Sequence, residues 1–380
     1  MVSQRQLLRP PTPEQIAPAF LVFLPPGEEA GSTIAAELAG AGIAAQRIGP
    51  GVRVDVGEID WRTILERVAG GLQPTERRDT RVAVVGRAAD ERALRRALAL
   101  APSLDSVLLQ YADSWVHDLL QPGRLAIHFQ PLVEYPPGKV YGYECLVRGV
   151  GPEGQLIPPS RIFEAAGRVG VRYLLDRQAC RAAMEGASAM GFGSLNFFVN
   201  IMAAGVERPA VLAESSLAAV AAGGLRPNQV TFELTDSESI CAARGASAGQ
   251  QHLTGIVEAL KSAGFGVSLD DLSPASPLLS LLTDIRADYV KFEGAVSRRA
   301  ANSSQDARLL AIACDSARRQ GAIAIAKGIE TEEDLRTAID AGAHITQGFV
   351  HGRPNLIPLE ASAEDQVLRQ VRRTAILAID

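Results

Sequence analysis

Two lysines close apolar runs in the same way, Lys291 in ADYVKFEG and Lys327 in AIAIAKGIE. The chain holds only two others, Lys139 and Lys261, so an ammonium group at these run ends is a specific feature. Further polar residues take corresponding places. Asn200 ends FFVN, Glu233 sits in VTFELTDS, Asp270 and Asp271 end VSLDD, Glu330 follows Lys327, Gln347 precedes GFV, and Glu144 lies in YGYECLVRG. One carboxylate at a strand end is ordinarily a turn former or a helix cap. Several brought to one rim repel each other unless a cation neutralises them. Glu, Asn, Glu and Asp offer only oxygen ligands, which suit Mg²⁺ or Mn²⁺. A hard cation with a lysine beside it is apparatus for a phosphate ester: the metal polarises phosphoryl oxygens and the lysine supplies positive charge to the leaving or attacking oxygen. Adjacent aspartates on a strand point to opposite faces, so Asp270 and Asp271 can act together only if the strand is ending, as DLSPASP implies.

The elements that must position these residues repeat with some regularity. Apolar strand-like runs occur at LAIHFQPLVE, VYGYECLVRG, SLNFFVNIM, QVTFELTDS, GVSLDDLS, ADYVKFEG, AIAIAKGIE and HITQGFVHG. Amphipathic helical stretches such as HLTGIVEALKSAG and DARLLAIACDSARRQG lie between most of them. EYPPGK is too short for a crossover helix, so the first two strands are expected to pair antiparallel, with Glu144 in a reversed second strand. The others need crossovers and are expected to be parallel. The fold class predicted is α/β: a (β/α)₈ TIM-type barrel with one antiparallel strand over residues 116–380, its active site at the carboxyl ends of the strands.

Residues 1–115 differ in character. A Pro-rich leader precedes the strand pattern AFLVFLPP, the helix-like GSTIAAELAGAGI, a second strand in TRVAVVGRA, the helical ERALRRALALA and the short run LDSVLL. This alternation reads as a small α/β layer with a regulatory or dimerising role. A phosphoreceiver assignment fails on chemistry, because no lysine occurs before Lys139. Asp90 reads as a loop aspartate, ERALRR as a solvated helix face, Trp61 and Trp115 as core or interface residues, and His128 and His351 as structural histidines near the rim.

Bulk properties narrow the class. The 380 residues are 47% hydrophobic and 21% charged, as in soluble globular proteins. A net charge of −5 argues against a nucleic-acid binder. No apolar run reaches the ~18 to 20 residues of a membrane span, and MVSQRQLLRPPTPEQ lacks a signal-peptide core. Cys145, Cys180, Cys241 and Cys314 show no C-x-x-C spacing and the histidines no H-x-x-x-H pair, so zinc and disulfides are not expected and a reducing cytoplasm is.

HFQPLVEYPPGKVYGYECLVRG, FFVNI, FELTDSE, SLDD, YVKFE, AIAKGIETEEDL and TQGFVHGRP, in this order, resemble the EAL-type cyclic-di-GMP phosphodiesterase domains of bacteria. The likeness runs from about residue 120 to residue 356. It implies a barrel that often dimerises and hydrolyses cyclic-di-GMP to pGpG with Mg²⁺ or Mn²⁺. The signature glutamate falls on Glu144, in ECL rather than EAL. By the same matching, Asn200, Glu233 and Asp270 join Glu144 at a first metal, Asp271 helps with a second, and Lys291 takes the catalytic lysine's place. Arg148, Leu146, Gln130 and Gln347 fall on nucleotide-site positions, Asp176 on an acid that meets a guanine, and Glu330 on the second glutamate of the family's EGVE segment.

Two departures follow from that matching. KGIE replaces EGVE, so Lys327 stands on the glutamate that holds the second metal and serves as, or positions, the general base. DDLSPASPL replaces a pattern close to DDFGTGYSS, exchanging glycines for two prolines that stiffen the loop. Glutamate to lysine changes the local charge by about two units. A protonated lysine repels a cation, so one ion rather than two is the expected cofactor. Three readings stay open: a degenerate EAL domain that binds cyclic-di-GMP as a receptor or effector with little or no hydrolysis, a slow phosphodiesterase using Glu330, and a scaffold without nucleotide. A homodimer and an unidentified protein partner are the macromolecular contacts expected.

Overall fold

The computed structural model describes residues 19–56, 60–86, 91–189 and 195–356. The Pro-rich leader and Asp90 lie outside them. The chain divides into two compact units, one of residues up to Asp118 with Arg161–Arg172, the other of Leu119–Ser160 with the residues from Tyr173 onward.

The first unit is built on an antiparallel sheet of β1 (Ala19–Leu24), β2 (Ala45–Ile48), β3 (Gly51–Asp55) and β4 (Arg81–Gly86), in the order β2-β3-β1-β4. Alternation puts Leu21 and Phe23 of β1 on one face, against Ile34, Leu38, Ile64 and Leu65 of the helices Glu28–Gly40 and Trp61–Gly71. Val22, Ala83 and Val85 turn to the other face and meet Leu94, Ala97 and Leu98 of Glu91–Ala99. Arg92, Arg95 and Arg96 of that helix are exposed, and Trp61 is buried in the core. The β2–β3 hairpin and the Trp61–Gly71 helix went unread in the sequence. LDSVLL is helical, within Leu104–Ala112, because the Ser103 hydroxyl accepts the Ser106 N–H (3.2 Å) and starts a helix there.

The second unit closes eight strands into a barrel: β5 (Leu125–Glu134), β6 (Lys139–Val150), β8 (Asn196–Met202), β9 (Val230–Thr235), β10 (Gly266–Leu272), β11 (Tyr289–Phe292), β12 (Ile323–Ala326) and β13 (Ile345–Gln347). The two-residue β7 (Leu156–Ile157) adds to the outer end of β6. Near-continuous burial along β9 and β11 is that of strands covered on both faces. One expectation needs correcting. β6, which carries Glu144, runs parallel to β8, whereas β5 is antiparallel to both β6 and β13. The reversed strand is therefore the first. A short hairpin fixes only the relative direction of its two strands, and the crossover after β6 decides which of them is odd.

Candidate functional site

One residue before its end, β11 carries Lys291, whose side chain is wholly buried. Its ammonium lies 2.9 Å from Glu144 Oε2 and 2.6 Å from Glu233 Oε1. Glu144 also accepts from Asn200 Nδ2 (2.8 Å) and from Gln347 Nε2 (2.6 Å), and Gln347 Nε2 reaches Gln130 Oε1 at 3.1 Å. Strand register explains the convergence: Gln130 stands opposite Glu144, and Asn200 beside Glu233. Burial works against charge on Lys291, but Glu144 and Glu233 outweigh it and raise its pKa. Burial would also raise Glu144; Lys291 and then Lys327 instead hold its carboxyl well below the ordinary range. Glu233 goes the other way, pushed up by burial and by the charge of Glu144.

Lys327, just past β12, forms the second knot. Its Nζ donates to Asp270 Oδ1 at 2.8 Å and to Asp271 Oδ1 at 2.5 Å. The adjacent aspartates reach one ammonium although β10 does not end there. The β10–β11 register shifts between Leu269 and Leu272, and Asp271 adopts a left-handed φ of 56°. Asp270 stays buried while Asp271 is exposed. Burial opposes the charge on Lys327, yet Asp270 leads the groups that raise its pKa, so the ammonium form persists.

The acids that looked in need of a metal are thus met by two ammonium groups. Among the described residues, no three His, Cys, Asp or Glu side chains form a ready metal cage. The donors around Glu144, Asn200, Glu233 and Asp270 are nevertheless all oxygen, and the buried Glu233 Oε2 has no hydrogen-bond partner. That orphaned oxygen fits one hard cation. A second ion at Asp270 and Asp271 does not fit, because Lys327 holds both carboxylates.

A cavity of about 290 Å³ opens beside this network, lined by Gln130, Glu144, Arg298, Lys327, Gly328, Glu330, Gln347, Gly348 and Phe349. Glu330 is exposed there, 3.6 Å from an Arg298 guanidinium nitrogen. The other residues singled out make contacts of their own. Arg148 is half-buried and donates to the Val147 carbonyl (2.8 Å), Leu146 pairs across the hairpin with His128, and Asp176 is buried in the helix Arg172–Ala189, accepting the Met202 N–H (3.0 Å). His351 is buried and shares a 2.7 Å hydrogen bond with Thr346, while His128 contacts the Pro354 carbonyl. Sequence reasoning missed Arg298, an arginine on a helix with no motif around it. It also gave no role to Phe349, although TQGFVHG contained it.

The family model described as "EAL domain" matches residues 113–354. The chain belongs to the EAL domain family. Both the family and the barrel expected from sequence are therefore correct. A relative of this EAL chain is MucR of Pseudomonas aeruginosa, a bifunctional diguanylate cyclase/cyclic di-GMP phosphodiesterase, 30% identical over 247 residues that make up 63% of this chain and 35% of MucR. The solved structure of the PaMucR phosphodiesterase in complex with c-di-GMP superposes with a TM-score of 0.56 at 28% identity, covering 66% of this chain and 99% of that one. Klebsiella pneumoniae BlrP1, in a manganese/c-di-GMP complex, gives 0.53 at 21% identity over 89% of this chain and 96% of that one, a likeness of fold alone. The chain spans about a third of the length of the curated relatives it matches.

Proposed function

We propose that this EAL domain binds cyclic di-GMP as a receptor in bacterial signalling, with little or no hydrolysis. One observation carries the reading: the Lys327 ammonium, tied to Asp270 at 2.8 Å and Asp271 at 2.5 Å, occupies the place that the family resemblance gives to a glutamate. A protonated amine cannot take a proton from water. Loss of a general base typically lowers a rate by ~10² to 10⁴. Binding asks less of the site. Arg148 and Lys327 supply positive charge for phosphate, Gln130 and Gln347 supply amides, and Asp176 is the acid matched to a guanine contact. One divalent cation, Mg²⁺ or Mn²⁺, held by Glu144, Asn200 and Glu233 while Lys327 keeps Asp270, would contribute Lewis acidity toward a phosphoryl oxygen. Lys291 meanwhile keeps Glu144 ionised and oriented.

A slow phosphodiesterase is the second reading, favoured by the unbroken set of Lys291, Glu144, Asn200 and Glu233 and by the activity named for MucR. One experiment separates the two. Titration calorimetry with cyclic di-GMP, followed by chromatography of the same sample for pGpG, is expected to give binding without product. Steady conversion with Mn²⁺, abolished in Glu144→Ala, would instead establish the enzyme. Absence of binding at high micromolar nucleotide would dispose of both and leave the scaffold. Residues 1–115 are proposed as a regulatory or dimerising module that passes the signal to a second copy or to a protein partner. No helix among the described residues is long and apolar enough to cross a membrane.

A further inference from the structure

We propose that Lys327 and Arg298 together form a phosphate clamp, so that cyclic di-GMP binds this chain without any divalent cation. The inference rests on the receptor reading above and adds to it the source of positive charge. Lys327 already bridges Asp270 and Asp271 and offsets part of their charge, and a divalent ion would have to displace it from both carboxylates. Lys291 does the same for Glu144 and Glu233 from within the core. Phosphate repulsion by this acid-rich mouth is therefore reduced by the protein's own cations.

Arg298 brings the second charge. It lies on the helix Gly294–Asn302 that follows β11, and its side chain lines the same cavity as Lys327. The approach is built into the backbone. Gly328, in the KGIE turn, has a φ of 69°, and a methyl group there would stand 2.7 Å from an Arg298 guanidinium nitrogen and 2.7 Å from Gly294 Cα. The positive φ and the Gly294 backbone call for glycine here, and the guanidinium lies over this turn, one residue from Lys327. The partner holding Arg298 is weak: Glu330 is 3.6 Å away, and both side chains are about half exposed. A phosphate diester arriving in the cavity can exchange that solvated pair for charge-assisted hydrogen bonds to a planar fork of donors. An ion at Glu144, Asn200 and Glu233 remains compatible with the clamp but is not required for affinity.

The test is titration calorimetry of the full chain with cyclic di-GMP, in EDTA and again in Mn²⁺. The native protein is expected to bind with the same affinity, within about twofold, in both, and more weakly as salt is raised. Arg298→Ala is expected to weaken binding about tenfold or more in EDTA, with Arg298→Lys recovering part of it. Lys327→Glu is expected to lose binding in EDTA and regain it in Mn²⁺. Binding by the native chain that requires Mn²⁺, or an Arg298→Ala variant that binds as the native chain does, overturns the clamp and leaves the receptor reading intact. No binding in either buffer overturns the receptor reading and the clamp with it. Circular dichroism of each variant separates lost contacts from lost fold.

Discussion

Lys291 Nζ stands 2.6 Å from Glu233 Oε1, and neither side chain is exposed to solvent. Glu144 and Glu233 together hold the Lys291 charge, which alone would lie uncompensated in a medium that solvates it poorly. Lys291→Ala is expected to lower stability by about 3–5 kcal/mol, read from the denaturant midpoint. Lys291→Met combined with Glu144→Gln and Glu233→Gln should recover much of that loss, because it removes the charges along with the pairing. A single variant as stable as the native chain would show that the pair contributes little.

Lys327→Glu restores a carboxylate at the turn and removes the ammonium from Asp270 and Asp271. Raised affinity for Mn²⁺ is expected by calorimetry, with only partial turnover of cyclic di-GMP to pGpG. The limit is the loop after β10, where Pro274 and Pro277 constrain the chain and the Ser276 hydroxyl accepts the Leu278 N–H (3.2 Å). Full activity in this variant would show that the loop imposes no such limit.

Gly328→Ala tests the turn itself. A side chain at positive φ is strained, and here it would also meet Gly294 Cα at 2.7 Å. A loss of about 1–3 kcal/mol is expected in chemical denaturation. An unchanged midpoint would mean that the two glycines can separate freely.

Acid should weaken the barrel through His351. Burial lowers its pKa to about 4, from an ordinary value of 6.5. The unfolded chain then takes up a proton more readily than the folded one between those values. Stability is complete above pH 6.5 and falls as pH drops toward 4, by up to about 3 kcal/mol. His351→Asn should flatten this part of the profile, measured as unfolding midpoint against pH. An unchanged slope would place the titration elsewhere.

Much of this arrangement was legible in the residues. Each of the eight barrel strands sits on an apolar run read in advance, because strands buried on both faces write themselves as uninterrupted Val, Ile, Ala and Phe. Asn200, Glu233, Asp270, Lys291 and Gln347 stood out as polar interruptions at the ends of those runs. What fails to show is whatever depends on neighbours distant in sequence. The odd direction of β5 follows from its pairing with β13, some two hundred residues away. The β2–β3 hairpin is half solvent-facing, so AQRI carries little hydrophobic signal. That Glu144 and Glu233 are answered by Lys291 could not be read from charges alone, since a metal and a lysine satisfy the same electrostatic demand. Arg298 had no motif to mark it; the glycines its guanidinium lies against, Gly294 and Gly328, come together only in the fold.

The left-handed backbone at Asp271 narrows what that position can become. Glycine and asparagine tolerate such a conformation, whereas a β-branched residue would force the bulged end of β10 to reform. Drift here is channelled toward asparagine, which preserves the shape of the rim and deletes one negative charge. Lys327 would then have a single acid partner, and a mouth balanced between attraction and repulsion would tip toward anions by one substitution.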